Sequence, residues 1–589
     1  IFRNYRKQNP EFDYGNNVHG EFGTLDSWPE VRGSVAQTLI EFSQEIDALL
    51  NNLLVKAADN LTQQKNEILN WATTTGGETL VAEIDAAIKG PKSTENLGQH
   101  LSERGILPMF GFPTRVRNLY LKKPSKRSRP ENWEMVDRQL DLAVATFAPN
   151  AETVWDKQLH TAVGLSNFTP GARGPKADQE PLGPTHKINI CYRCRGIERS
   201  GNETTIHSCL ECGATGEDFA SITLSEPTGF RSAWRAEDYT DGFTSGQRSA
   251  APRLQPDRSQ MQKITTGRVT AYSGACDLYI INDNNGNLYR FAPTKDGESW
   301  LDADLWERNK QAGKAARFYL PEINIDAQKE VALGMVKRSD VLLLGTEHSP
   351  NYLDLLPFDS GRRGAWYSLG FILRKVAATQ LDIDIEDLNV GYSVRHVGEK
   401  QVAEVFLSDQ LENGAGYSNY LGKKENLKAL LEGTDVYISG ELSQSPHNGC
   451  DSSCYQCLRD YYNAMYHPLL DWRLGRDLLD LLLGRDLNLN RWEESEQSLT
   501  KSFAEELAGD PINLDGSVSA IKTGGKLLIV RHPFESPTNG HEFQNLFLSA
   551  RLDGAVIDAE TLFPDSEIRF VSSFDLQRRP GWVLATHLQ

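Results

Sequence analysis

Seven of the eight cysteines fall in two tight clusters whose spacing is that of metal ligands. Cys191-x2-Cys194 and Cys209-x2-Cys212, with fourteen residues between the pairs, form two knuckles that can bring four thiolates to a tetrahedron around Zn²⁺. A redox dithiol needs one such pair at a helix start and leaves the second unexplained. With four protein ligands no coordination site is left for water, so this ribbon should staple the fold rather than catalyse. The second cluster, Cys450-x3-Cys454-x2-Cys457, offers three thiols and needs a fourth ligand for a second Zn²⁺. His467, ten positions after Cys457, is favoured over His447, three before Cys450. A three-cysteine iron–sulfur set and plain packing of Cys450 are the competing readings. Cys276 alone stands apart, and a chain that groups its thiols for metals is expected in a reducing, cytoplasmic compartment.

Charge is the second signal. Arg115, Arg117, Lys122, Lys123, Lys126, Arg127 and Arg129 lie within fifteen residues that hold no acid, beside Phe112 and Tyr120. The whole chain has 62 Lys plus Arg against 80 Asp plus Glu, a formal charge of −18, which excludes a purely electrostatic nucleic-acid binder. Within that acidic chain the strip could track DNA phosphates, with aromatics to stack on bases; a solvated loop is the plainer alternative. Arg231, Arg235, Arg248, Arg253 and Arg258, around Phe230 and Trp234, read mainly as solvated surface. Neither a GxxxxGK[ST] phosphate loop nor an acidic box, GxSxG or strand-borne GxGxxG is present, so this chain alone should not hydrolyse ATP. Ser360-Gly361-Arg362-Arg363-Gly364 reads as a basic turn. Asp553, Asp558 and Glu560 could bind Mg²⁺ in a degenerate nuclease fold, although surface carboxylates are the simpler account.

The elements that must position these groups are mixed. At 589 residues the chain should hold three to five domains. Val35 to Trp71 carries an apolar stripe of Leu39, Phe42, Ile46, Leu49, Leu50, Leu53 and Leu54 and predicts a helix. Val116, Leu119 and Leu121 suit a short strand, and Gly171 to His186 a linker into the first knuckles. Alternating β-formers on either side of Asn285-Gly286 predict a tight antiparallel hairpin between Asp277 and Ala292. Ser368 to Leu381 reads as a helix and Ala403 to Leu407 as a strand. Leu474, Leu478, Leu481 and Leu482 predict a helix bracketed by Pro468 and Gly484, and the acidic stretch Trp492 to Glu506 reads as a separator before a last αβ unit built on Lys526 to Val530. No apolar run reaches the roughly 20 residues of a bilayer span, so no membrane role is expected. A chain that opens at Ile1 without Met or a secretion signal is expected to be a piece of something longer.

The order of these motifs resembles the C-terminal half of large superfamily-two DNA helicases with an MrfA-like zinc-binding domain. The resemblance rests on GILPMFGFPTRV at 105–116, DRQLDLAVATFAPN at 137–150, EPTGFR at 226–231, FLSDQLENGAGYSNYL at 406–421 and CDSSCYQCLRDYYNAMYHPLLDWRL at 450–474. Helicases of this type belong to anti-phage defence systems such as Druantia and DISARM, or serve DNA repair. HGEFG at 19–23 looks like the junction after a second motor lobe. The resemblance implies a mixed α/β, multidomain chain: a helical post-motor segment (1–100), a strand and helix segment with the basic strip (101–180), the zinc ribbon (181–222), the MrfA-like zinc-binding domain (223–485) and a small C-terminal α/β unit (486–589). It also implies a DNA-guiding and scaffolding role beside motor lobes that carry ATP and Mg²⁺, in cis or as a separate chain. Single-stranded DNA or a duplex end would be the partner, with defence proteins as further partners. The rival from another class is a zinc-stapled docking module that never touches DNA.

Overall fold

The computed structural model describes residues 25–53, 59–89, 97–103, 106–107, 115–125, 132–171, 174–199, 207–238, 252–411, 415–444, 447–537 and 547–588. The chain is mixed α and β and divides into two units, residues 1–114 with 411–415, and 115–410 with 416–589. In the first unit the helical period is present but interrupted. Val35–Glu41 and Ser43–Leu53 meet at Phe42, and Asp59–Thr73, Gly76–Lys89 and Leu97–Glu103 follow. Its core is Trp28, Val31, Val35, Ile84, Leu97 and Leu101, while Phe42 and Leu49 of the expected stripe are exposed and the side chains of Leu53 and Leu54 lie outside the description. A Cβ on Gly77 would sit 2.7 Å from Ala36 Cα, so that bare position permits the helices to touch.

The second unit is organised by an 18-residue strand, Lys329–Thr346, buried along most of its length. Val269–Asn282 pairs antiparallel with it from Thr346 to Leu333, Lys400–Asp409 pairs antiparallel with Val341 to Gly345, and Phe219–Ser225 pairs in parallel at Ala332 and Leu333. Here the hairpin expected around Asn285-Gly286 is corrected. Gly286 (φ +85), Asn284 and Asn285 do turn the chain, but Val269–Asn282 and Tyr289–Pro293 do not pair with each other. Both pair with the long strand instead, because its eighteen residues offer each a place that buries more apolar surface than a two-stranded ribbon could.

Against this sheet lies the helix Ser360–Leu381, which begins eight residues before the expected start, capped by Asp359 accepting from the Arg362 amide. Its buried Tyr367 packs edge-on to Tyr392, ring centroids 5.4 Å apart, over the strands Leu388–Val397 and Lys400–Asp409. A Cβ on Gly370 would lie 2.4 Å from Val390 Cγ1, so glycine sets that helix-to-sheet distance. The Trp472–Leu482 helix packs on the other side of it. Leu474, Leu478, Leu481 and Leu482 are all buried as the spacing required, each contributing about 1.5–3 kcal/mol by leaving water. Gly484, φ +82, ends the helix.

The C-terminal strands run in the order Asp510–Leu514, Val518–Thr523, Lys526–Arg531, Glu567–Ser572, the last parallel to the third across the helix Ala550–Leu562. Lys526–Arg531 reads as an unbroken apolar run because both faces are covered, one by Phe503 and Ala504, the other by Leu552, Ala555 and Ala559. This corrects the reading of Trp492 to Glu506 as a separator: Glu493–Glu506 is a helix whose Thr500, Phe503 and Ala504 are buried against that sheet. Asp553, Asp558 and Glu560 sit on Ala550–Leu562, where Asp558 accepts from the Asp515 amide at 2.7 Å, and they belong to no group of metal-ligand geometry among the described residues.

Candidate metal centres and the cationic strip

The ribbon grows from the main sheet. Thr185–Cys191 pairs antiparallel with Phe219–Ser225 in the register Cys191↔Phe219, delivering the first thiol at a strand end. Each knuckle then closes with the same bond, an amide donating to the carbonyl five residues on: Cys191 to Gly196 at 3.0 Å, Cys209 to Ala214 at 2.9 Å. Arg195 (φ +64) and Gly213 (φ +68) turn the chain just after the second cysteine of each pair. All four cysteines are buried, and their sulfurs lie within 4.8 Å of one another, with Cys191–Cys212 and Cys194–Cys209 at 3.5 Å. Four thiolates at about 2.3 Å from a tetrahedral zinc stand roughly 3.8 Å apart, so the donor set fits Zn²⁺. Amides of Cys194 and Gly196 point at the Cys191 and Cys194 sulfurs at 3.4 and 3.3 Å, partners that a thiolate needs. Gln401 and the His396 amide donate to Glu211, at 2.9 and 3.1 Å, and tie the second knuckle to the Leu388–Val397 hairpin.

At the second cluster the imidazole is that of His447, where the sequence favoured His467. His447, Cys450, Cys454 and Cys457 place one ligand atom each within 4.8 Å of the others; Cys454 Sγ is 3.5 Å from His447 Nε2 and 3.7 Å from Cys457 Sγ. His447 Nδ1 lies 2.9 Å from the Leu442 carbonyl, an acceptor that keeps the proton on Nδ1 and leaves Nε2 free to coordinate. Burial opposes ionisation of Cys454, yet the Gln456 amide and His447 bring its thiol down to about 7. His467 is turned elsewhere, its Nε2 2.8 Å from Asn463 Oδ1 and 3.1 Å from the Asp460 carbonyl. The signal was in the sequence: His447-x2-Cys450 and Cys454-x2-Cys457 repeat the two-residue spacing of the ribbon knuckles. Trp472, first residue of its helix, packs edge-on to His447 at 5.9 Å and donates from Nε1 to the Cys450 carbonyl at 2.7 Å. Both clusters could therefore hold zinc.

The strip divides in two. Arg115 donates to Glu226 at 3.0 Å and to the Val336 carbonyl at 2.9 Å. Burial opposes ionisation of Glu226, but His186 and Arg115 hold its carboxyl below the usual range. Arg117 donates to the Pro227 carbonyl at 2.5 Å. These two arginines fasten Val116–Tyr120 to the sheet. Lys122 and Lys123 are about half exposed and pair with the partly exposed carboxylates Glu134 and Glu298, Lys123 also standing 6.0 Å from the Trp234 ring centroid. Lys126, Arg127, Arg129 and Phe112 lie outside the described residues. In the second basic stretch Arg231 and Arg253 are buried rather than solvated, Arg258 pairs with buried Glu404 at 2.6 Å, and Arg248 lies outside the described residues. No helix among the described residues is long and apolar enough to cross a membrane.

No family model matches the chain. A DUF1998 helicase, MrfA, solved bound to DNA, overlaps 71% of this chain and 46% of its own with 9% identity and a TM-score of 0.31, a likeness too loose to assign a fold. The Druantia protein DruE of Escherichia coli (strain UMEA 4076-1) is 25% identical over 414 residues. The chain is thus similar to a Druantia protein over 65% of its own length, and it spans 22% of that relative.

Proposed function

We propose that the chain is the zinc-stapled, DNA-guiding and scaffolding part of a larger ATP-driven DNA helicase or translocase of anti-phage defence, working in the cytoplasm beside motor lobes in cis or on a separate chain. The similarity to DruE carries this reading. The geometry supports it in two ways. Two metal clusters of zinc-ligand geometry brace one sheet-based scaffold, and Lys122 and Lys123 are about half exposed in ion pairs of a kind typically worth about 0–1 kcal/mol, which phosphates can replace. A second reading, a docking module, has its own observation: Tyr455, Tyr461 and Tyr462 stand 74%, 73% and 53% exposed around the second cluster, the residue type that protein interfaces favour.

A salt titration of labelled single-stranded DNA separates the two. Each phosphate contact contributes about −0.7 to the log–log slope, so Lys122→Ala, Lys123→Ala and Arg127→Ala together should flatten it by roughly two units and weaken all sequences alike. Equal slopes and affinities for wild type and triple variant would remove the guiding role from this segment and favour docking.

A further inference from the structure

The segment after Glu226 holds an arrangement that neither metal cluster uses. Arg231, on the strand Phe230–Ser232, is 1% exposed, and among the described residues no carboxylate pairs with it. Its Nη1 donates to Ser299 Oγ at 3.0 Å and its Nε to the Ser232 carbonyl at 3.2 Å. Burial pulls its pKa down to about 9, with Asp296 and Glu298 acting from further away. What covers the guanidinium is the ring of Trp234, 3.5 Å from guanidinium carbon to ring centroid. Trp234 itself sits at φ +58, a left-handed backbone that a bulky residue rarely adopts and that a fold keeps where position matters. The turn is locked: the Trp234 amide donates to Ser232 Oγ at 3.1 Å, and that hydroxyl donates to the Leu121 carbonyl at 3.0 Å.

The same lock sets the neighbours. Phe230–Ser232 runs parallel to Val116–Tyr120 in the register Tyr120↔Arg231, so Lys122 and Lys123 follow directly beyond the shared edge. Lys123 Nζ is 6.0 Å from the Trp234 centroid. The indole is only partly buried, with the buried guanidinium against one face and Lys123 beside it, Lys122 preceding Lys123 in the chain. Aromatic rings fixed beside exposed cations are how proteins hold unpaired bases without reading them, because every base has a π-face and every nucleotide a phosphate.

We propose that Trp234 is a stacking platform for a base of single-stranded nucleic acid, with Lys122 and Lys123 taking the flanking phosphates; this rests on the DNA-guiding reading. Stacking releases no counterions, so ring and lysines are separable by salt. Using the full chain and a fluorescein-labelled dT20 strand, Trp234→Ala should weaken binding roughly 5- to 100-fold with an unchanged salt slope. Trp234→Phe should recover most of the affinity, and Lys122→Ala with Lys123→Ala should flatten the slope instead. Since Trp234→Ala uncovers Arg231 and could fail to fold, a wild-type measurement runs beside it: an abasic strand of equal length and charge should bind more weakly than dT20 by a similar factor. Equal binding of dT20 and the abasic strand overturns the platform and leaves DNA guiding standing. No binding of either strand at low salt overturns both.

Discussion

The ribbon gathers four thiols and the second cluster three thiols and an imidazole, each from opposite surroundings. At the ribbon all four thiols are buried and come from a strand end and two turns closed by their own backbone bonds. At the second cluster Cys450 and Cys454 are partly open, and the ligands come from short turns bounded by helices: Leu442 orients His447, Trp472 covers it, and Lys375 donates to the carbonyls of Gln456 and Cys457 at 3.1 and 3.2 Å. The ribbon should stand or fall with its metal. The second site should be held partly by the helices around it, so its metal would tune a surface rather than create a fold.

The largest effect expected is therefore at the ribbon. Structural zinc supplies on the order of 10–16 kcal/mol of apparent binding energy in small zinc modules, so Cys209→Ala should halve the zinc content and open residues 192–213 to protease. Unchanged zinc by elemental analysis and an unchanged digestion pattern would erase the contrast.

The second site offers a sharper choice between two histidines. His447→Ala should cost more zinc affinity than the roughly 10- to 100-fold typical of losing an outer partner, whereas His467→Ala should leave chelator competition unchanged. The opposite order would return the ligand to His467.

The helix that begins at Trp472 contributes Asp477, at its middle, to a buried ionic node, which tests how far the helical surroundings of the second cluster act alone. Asp477 accepts from Trp492 Nε1 at 2.7 Å and lies 3.3 Å from His532 Nε2; Glu535 accepts from Ser549 and Arg551. Burial pushes the Glu496 carboxyl up to about 7, with Arg551 opposing. A raised folded-state pKa favours the protonated native form, so this contribution is fully present below about 4.5 and is lost as pH rises through about 7, at most on the order of 3 kcal/mol. Glu496→Gln should thus stabilise at pH 8 and have little effect near pH 4.5 in thermal melts. A pH-independent effect would mean the carboxyl is not the titrating group.

The smallest effect contrasts the two halves of the strip. Arg115→Ala leaves Glu226 buried beside fewer partners and should cost about 1–3 kcal/mol, while Lys122→Ala should cost under about 1 kcal/mol. Equal melting temperatures for both would make the strip uniform.

Much of the ribbon was legible because its ligands lie within twenty-two residues and local turns bring them together, and the Leu474 to Leu482 stripe was legible because burial of one helix face is written at a 3.6-residue period. The hairpin at Asn285-Gly286 misled because turn chemistry says where a chain reverses and not which strand it then meets. Arg115 and Lys122 look alike in sequence; only the sheet decides that one ties down buried Glu226 while the other faces water. Likewise two histidines stood within reach of three thiols, and the choice fell to Leu442 and Asn463, each of which claims one imidazole. Spacing along the chain determined by itself that metal sites of zinc-ligand type could form, that the chain mixes α and β, and that Leu474, Leu478, Leu481 and Leu482 share one buried face. Which histidine, which cations and which strands serve was decided by tertiary structure, because those choices depend on burial and on hydrogen-bond partners distant in sequence.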